Sequence, residues 1–289
     1  MLEEQEILTE DNYFSHKMQN EYMSVSQIKD CVGMPAQIGC ELRWYATIRG
    51  GWKPPETEAL LYGQYVDTSL LTPERMPEFV MKHPKMFIKD GRLKASLRRA
   101  EESVQRVKQD EFFMRTLVGD HQTIMTGEIA GSKVKIKMDV YCEGKYITDL
   151  KTTQSITKGY WNPLTKKRET FLHAYNYFLQ AAIYQEIVYQ NTGKRLPFFI
   201  SAISKEPVTD FEVIQIAQED MDEQLEMIKP HIQHMQAIKD RQIDACKCGV
   251  CHYCIEKKKL TRPIFWQDIM GQIEEEGESD TDDESETDA

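Results

Sequence analysis

Three residues near the middle of the chain have the types and spacing for phosphodiester chemistry. Asp149-Leu150-Lys151 ends a short run of strand character. In an extended chain side chains alternate, so Asp149 and Lys151 share one face and Leu150 points to the core. Asp139 belongs to the preceding segment, where Val134, Ile136, Met138 and Val140 alternate with Lys133, Lys135, Lys137, Asp139 and Tyr141. That is the period of a strand with one polar face. If a three-residue loop, Glu143 to Lys145, joins the two strands as a hairpin, Asp139 lies opposite Asp149 with Cβ atoms roughly 5 Å apart. A two-residue loop would put them on opposite faces. Like charges in that position repel, and a sequence that sets them there usually has a cation between them. Oxygen ligands point to Mg²⁺ or Mn²⁺. An ion held by Asp139 and Asp149 can neutralise a phosphate oxygen and acidify a water, with Lys151 orienting that water or offsetting developing charge.

Other residues could extend this chemistry. Glu128, in Thr126-Gly127-Glu128-Ile129 on an expected earlier strand, is a candidate additional metal carboxylate. Gln180 and Tyr184 stand at i and i+4 of an expected helix with Tyr177 one turn earlier. At that spacing an amide and a phenol can hydrogen bond to phosphate oxygens without reading base sequence. Four of the seven cysteines, Cys246, Cys248, Cys251 and Cys254, crowd together, which suits thiolates gathered around a metal better than disulfides between distant segments. The four could close a zinc site by themselves, or Cys248, Cys251 and Cys254 could form the local part of an iron-sulfur site with a fourth thiolate from afar. Lys257, Lys258, Lys259 and Arg262 follow and could contact phosphate or form a solvated basic stretch.

Positioning these groups requires a sizeable fold. Ser24 reads as the N-cap of a short amphipathic helix; Glu56–Leu71 and Ala95–Leu117 read as further helices, the latter with Leu97, Val104, Val107 and Phe112 on its apolar side. After the hairpin come a helix over Phe171–Gln190, strands over Pro197–Ser204 and Phe211–Ile216, and a helix over Asp220–Arg241. This order indicates an α/β or α+β domain with a mixed sheet flanked by helices. The expected divisions are a flexible N-terminal arm over 1–20, one domain over 21–262 including the cysteine cluster, and an acidic disordered tail over 263–289.

The formal charge is −11, from 36 Lys plus Arg against 47 Asp plus Glu, and at first sight it opposes nucleic-acid binding. Ten of the acids, however, fall in residues 274–289, and without them 37 acids face 36 bases. The remainder is near neutral, with Lys133, Lys135, Lys137 and Lys151 around the expected metal and Lys166, Lys167 and Arg168 before the Gln180 helix. The tail either mimics DNA and competes for a basic channel, or only aids solubility. No apolar run is long enough for a membrane span and the N-terminus is acidic, so a cytoplasmic protein is expected.

Gly127-Glu128, Met138-Asp139-Val140, Asp149-Leu150-Lys151-Thr152-Thr153 and Gln180-Ala-Ala-Ile-Tyr184, in this order, resemble the PD-(D/E)xK nuclease superfamily, specifically its RecB-like and RecE-like exonuclease branch. The resemblance spans about residues 22–262. It implies a restriction-endonuclease-like core and a Mg²⁺- or Mn²⁺-dependent exonuclease acting on double-stranded DNA ends. It further implies 5′→3′ resection leaving a 3′ strand for an annealing protein, a role in phage-type recombination in the cytoplasm of a bacterial host, and a homo-oligomer. In that branch a metal-binding His follows a Gly on a helix. In Leu61-Tyr62-Gly63-Gln64-Tyr65-Val66-Asp67 the His place is taken by Asp67, either a metal ligand or a surface residue. The resemblance also makes Cys40 the partner of Cys248, Cys251 and Cys254 around a [4Fe-4S] cluster, with Cys31 in reserve, Cys246 an alternative ligand and Zn²⁺ the alternative metal. Rival readings are an iron-sulfur nuclease of CRISPR adaptation or of a helicase complex, and a catalytically silent DNA-binding adaptor. The chain has no P-loop motif, so a helicase would have to be a partner.

Overall fold

A computed structural model describes residues 7–162 and 165–267. The acidic run from Glu274, with both readings of it, lies outside the described residues. Helices α1 (His16–Glu21) and α2 (Val25–Val32) begin where Ser15 and Ser24 accept hydrogen bonds from the backbone three residues on. A small hairpin, β1 (Gly33–Met34) and β2 (Gln37–Ile38), leads to α3 (Glu41–Ile48). Then follow α4 (Glu58–Leu71), capped by Thr57, α5 (Met76–Lys82), α6 (Ala95–Val107) and α7 (Glu111–Thr116). The central strands are β3 (Asp120–Ile129), β4 (Ser132–Cys142) and β5 (Tyr146–Thr153), and a second small hairpin is made by β6 (Tyr160–Asn162) and β7 (Lys167–Glu169). The chain continues through α8 (Phe171–Ala174), α9 (Tyr177–Thr192), β8 (Phe198–Ser204), β9 (Phe211–Gln215), α10 (Gln218–Lys239) and α11 (His252–Glu256). No described helix is long and apolar enough to cross a membrane.

The main sheet has the order β3-β4-β5-β8-β9, with β5 and β8 parallel and all other neighbours antiparallel. The parallel pair arises because α9 carries the chain across one face between β5 and β8. Each face holds its own apolar layer. Trp44, Ile183, Ile187, Ile232 and Met235 pack on the side of α2, α3, α9 and α10, and Val66, Leu97, Val104 and Phe113 on the side of α4, α6 and α7.

Several boundaries differ from the sequence reading for identifiable reasons. The helix expected over 95–117 is two, because Asp110 caps a new helix by accepting from Phe113 N; this turns Phe113 into the core and leaves Phe112 exposed. The helix expected over 171–190 is broken at Asn176, which adopts a left-handed conformation (φ 46°) and caps α9. The arm expected over 1–20 is packed from within: Tyr13 and Met18 are buried, and Lys135 donates its ammonium to the Tyr13 carbonyl. Lys135, expected on a solvated strand face, is therefore buried, and Lys133 is engaged by Glu21 at 2.9 Å.

The turn into the cysteine site is tight at Gly39, where a Cβ would stand 2.3 Å from Val32 C and 2.4 Å from Gly33 N. These are backbone atoms and cannot yield cheaply. Gly39→Ala is expected to cost about 1–3 kcal/mol, the usual range for overpacking, while Gly51→Ala, whose nearest contact would be an ordinary 3.5 Å, leaves thermal unfolding unchanged. An unaltered midpoint for Gly39→Ala would contradict this packing.

Candidate active site

The hairpin loop has three residues, 143–145, so that Cys142 pairs with Tyr146, Tyr141 with Ile147 and Val140 with Thr148. The described ladder ends there. One step further, where Asp139 would face Asp149, the strands part, and Leu150 N donates at 3.0 Å to the Asp139 carboxylate. The local alternation changes with it: Val134, Ile136 and Met138 belong to one apolar layer and Val140 to the other. The expectation that all four share a face is corrected by this break, which lets Asp139 insert its side chain between β4 and β5. On the other side of β4, Gln122 stands opposite Asp139 in β3, adopts a left-handed φ of 55° and donates to Asp139 Oδ1 at 3.4 Å.

Asp149 is 2% exposed. Its Oδ1 accepts from Gln180 Nε2 at 2.7 Å and its Oδ2 is ion-paired with Lys151 Nζ at 2.6 Å. Burial lifts Asp149 to about 6; Lys151 pulls it down and Asp139 pushes it further up. Burial likewise opposes the charge on Lys151, but Asp149 and then Asp139 outweigh it and hold the ammonium well above its usual range. From the opposite face, α4 approaches β5 closely at Gly63, where a Cβ would lie 3.4 Å from Thr152 Oγ1. One turn later, Asp67 looks toward the same centre. Its carboxyl is held well above the usual range by burial, then by Asp139, with Asp149 adding and Lys151 opposing. Asp67 and Asp139 share an open cleft of about 790 Å³ with Gln122, Lys137, Arg75 and Lys82. Of these bases, Arg75 is held by Glu10 at 2.5 Å and Lys82 by Glu78 at 2.6 Å.

The structure thus brings Asp67, Asp139, Asp149 and Lys151 into one electrostatic centre. Glu128 does not join it. It pairs with Lys133 at the far end of the β3–β4 ladder, roughly 20 Å along the strand from Asp139 at the usual rise per residue, and its backbone is bound by the Gln190 side chain. Gln180 and Tyr184 are both turned inward, because α9 packs against the sheet. Gln180 supports Asp149, and the Tyr184 hydroxyl donates to the Lys137 carbonyl at 3.0 Å, so neither presents a free group to DNA as expected. Tyr177 offers its ring, which lies 5.6 Å from Lys151 Nζ.

Asp139 and the buried Asp149 offer carboxylate oxygens of the kind that suits a hard divalent cation such as Mg²⁺ or Mn²⁺, and Asp67 lines the cleft together with Asp139. Asp139 and Asp149 are the residues placed to hold it, with Asp67 facing them. Sequence reasoning missed Gln122, for which no local signal exists, and Lys29, whose buried position repeats the apolar spacing of Val25 and Ile28 on α2.

A second cluster lies apart from this cleft. The sulfurs of Cys40, Cys248, Cys251 and Cys254 all lie within 4.8 Å of one another, with Cys40–Cys254 at 3.7 Å and Cys248–Cys254 at 3.9 Å. Arg43 N donates to Cys40 Sγ at 3.4 Å and Cys251 N to Cys248 Sγ at 3.3 Å. Burial works against a Cys248 thiolate, yet the Cys251 and Val250 backbone groups outweigh it and bring the thiol down to about 7. Four thiols are a donor type that zinc and iron-sulfur groups both take. Cys246 is exposed and outside the quartet, because its backbone is tied to α3 by Glu41 and Leu42. Cys31 is buried separately and its thiol is pushed up by burial.

Residues 24–257 match the family described as PDDEXK-like domain of unknown function (DUF3799). The chain belongs to this PDDEXK-like family. A solved structure from Eubacterium rectale, described as a "putative exonuclease", is similar at 36% identity and a TM-score of 0.88, covering 92% of this chain and 98% of that one. The structure of SSO0001 is alike only at 10% identity and a TM-score of 0.28, over 62% of this chain and 88% of that one, and carries no argument. No curated protein matches the chain.

Proposed function

We propose that this PDDEXK-like protein is a metal-dependent exodeoxyribonuclease acting on the ends of linear double-stranded DNA. The observation that carries the reading is the meeting of Asp139 and Asp149 where β4 and β5 part, with Lys151 ion-paired at 2.6 Å beside them. A bound Mg²⁺ or Mn²⁺ would supply Lewis acidity toward the phosphate and lower the pKa of a water. Lys151 has the reach to orient that water or to meet the charge developing on phosphate, and Gln180 keeps the buried Asp149 carboxylate aimed. The likeness to an E. rectale protein described as an exonuclease supports action at ends. The 5′→3′ polarity, a 3′-strand product for an annealing protein, phage-type recombination in the cytoplasm of a bacterial host and homo-oligomerisation follow from the RecE-like resemblance and complete the proposal. A silent adaptor is disfavoured, because a dead site has no use for three convergent carboxylates and a paired lysine.

For the cysteine quartet we favour zinc. Thiolates about 2.3 Å from one tetrahedral ion stand about 3.8 Å apart, close to the 3.7 and 3.9 Å found here. A four-iron cube, with one thiolate on each outer corner, requires wider spacing. The quartet closes its own coordination and so clamps the start of α3 to α11 and the loop before it rather than taking part in catalysis.

Two tests follow. Linear duplex labelled at either end is incubated with the protein and Mg²⁺. Degradation should require ends and metal, and Asp149→Asn or Lys151→Met should lower it at least about 100-fold, as expected for loss of a principal catalytic group. Cleavage without metal, or unchanged in Asp149→Asn, would contradict the reading. Anaerobically purified protein should be colourless and release about one zinc per chain; a brown sample holding iron and sulfide would reverse the zinc assignment.

A further inference from the structure

The nuclease reading leaves unused a buried cation that stands beside the site. Lys29 lies on α2, 8% exposed, among Val25, Gln27 and Ile28 on the face turned to the core. Among the described residues no carboxylate reaches it within ion-pair distance. Its Nζ stands 4.8 Å from the centroid of the Tyr177 ring, the same ring that Lys151 Nζ approaches at 5.6 Å. Two ammonium groups therefore share one aromatic ring, and Asp149, the carboxylate that acts on Lys29, is already paired with Lys151. Burial, then repulsion from Lys151, brings Lys29 down to about 7, with Asp149 opposing. Tyr177 is also the first residue of the 16-residue α9, whose N-terminus adds positive potential at this spot. A buried ammonium without a counter-charge is unfavourable, and this one is directed at the reacting centre.

We propose that Lys29 is a second phosphate-binding cation of the active site, gripping a nucleic-acid phosphate next to the one attacked. The proposal rests on the nuclease reading above. It separates the roles of the two lysines. Lys151, paired with Asp149, serves the reacting phosphate, and Lys29, unpaired, completes its charge balance only when an anion arrives. The Tyr177 ring fixes where both ammonium groups point. Two sources offer the same chemistry, a terminal phosphate on a DNA end and an internal phosphate of the strand.

The test uses the full-length protein with Mg²⁺ and short duplexes that carry either a terminal phosphate or a terminal hydroxyl. Lys29→Met keeps the length and packing of the stem, Lys29→Gln is made alongside in case the first variant unfolds, and Lys29→Arg keeps the charge. Loss of one charge-assisted contact should raise KM about tenfold and reduce the slope of log affinity against log salt by about one, with kcat little changed and Lys29→Arg near wild type. If KM rises only on phosphate-ended duplex, the ligand is the terminal phosphate; if it rises on both, it is an internal one. Unchanged KM and salt slope in the Met and Gln variants, in an otherwise active protein, would overturn the inference alone. A wild-type protein that cuts no DNA would instead overturn the nuclease reading beneath it.

Discussion

Backbone hydrogen bonds hold β4 to β5 only as far as Val140 and Thr148, and everything in the site depends on what happens one residue later. Leu150 N, which a continued ladder would give to a β4 carbonyl, is satisfied by the Asp139 carboxylate. The parting of the strands is eased because this backbone donor keeps an acceptor. It also moves Asp139 from a sheet face into the gap between strands, beside a β5 that remains fully paired with β8 on its other edge. One edge of β5 is thus rigid scaffold and the other is open for chemistry.

That opening is costly in electrostatic terms, because it gathers Asp67, Asp139 and Asp149 in a partly desolvated place. The pattern of shifts expresses the strain: Asp67 and Asp149 are both pushed up, and Lys151 is held charged between them. One lysine does not balance three carboxylates, and a divalent cation would. Conversely, on the far side of Lys151 the second ammonium of Lys29 has no carboxylate of its own. The site is polarised, with surplus negative charge toward the cleft and surplus positive charge toward α2 and Tyr177. A cation on one side and a phosphate on the other complement it.

Much of this was legible in the chain because it rests on local rules. Alternation gave Asp149 and Lys151 a common face, and thiol spacing marked Cys248, Cys251 and Cys254 as a local cluster, whereas the hairpin register stayed conditional on loop length and the distant Cys40 came only from the resemblance to RecB-like nucleases. What was not legible depended on tertiary packing or on departures from regularity. The phase of β4 changes at Asp139, which no periodicity reading can foresee. Tyr13 from the N-terminal segment covers Lys135, and the turn at Asn176 directs Gln180 and Tyr184 into the protein rather than toward DNA. Glu128 was misplaced because adjacency in a motif was taken for adjacency in space, whereas an antiparallel ladder carries it to the opposite end of β3.

The central claim is that the parted strands form a metal site. Anomalous diffraction from a crystal soaked in Mn²⁺ tests it most directly. A peak should lie about 2.1 Å from oxygens of both Asp139 and Asp149, on the side facing Asp67, and it should vanish in Asp149→Asn. Absence of any peak at these two carboxylates, in crystals that take up Mn²⁺ elsewhere, would contradict the account.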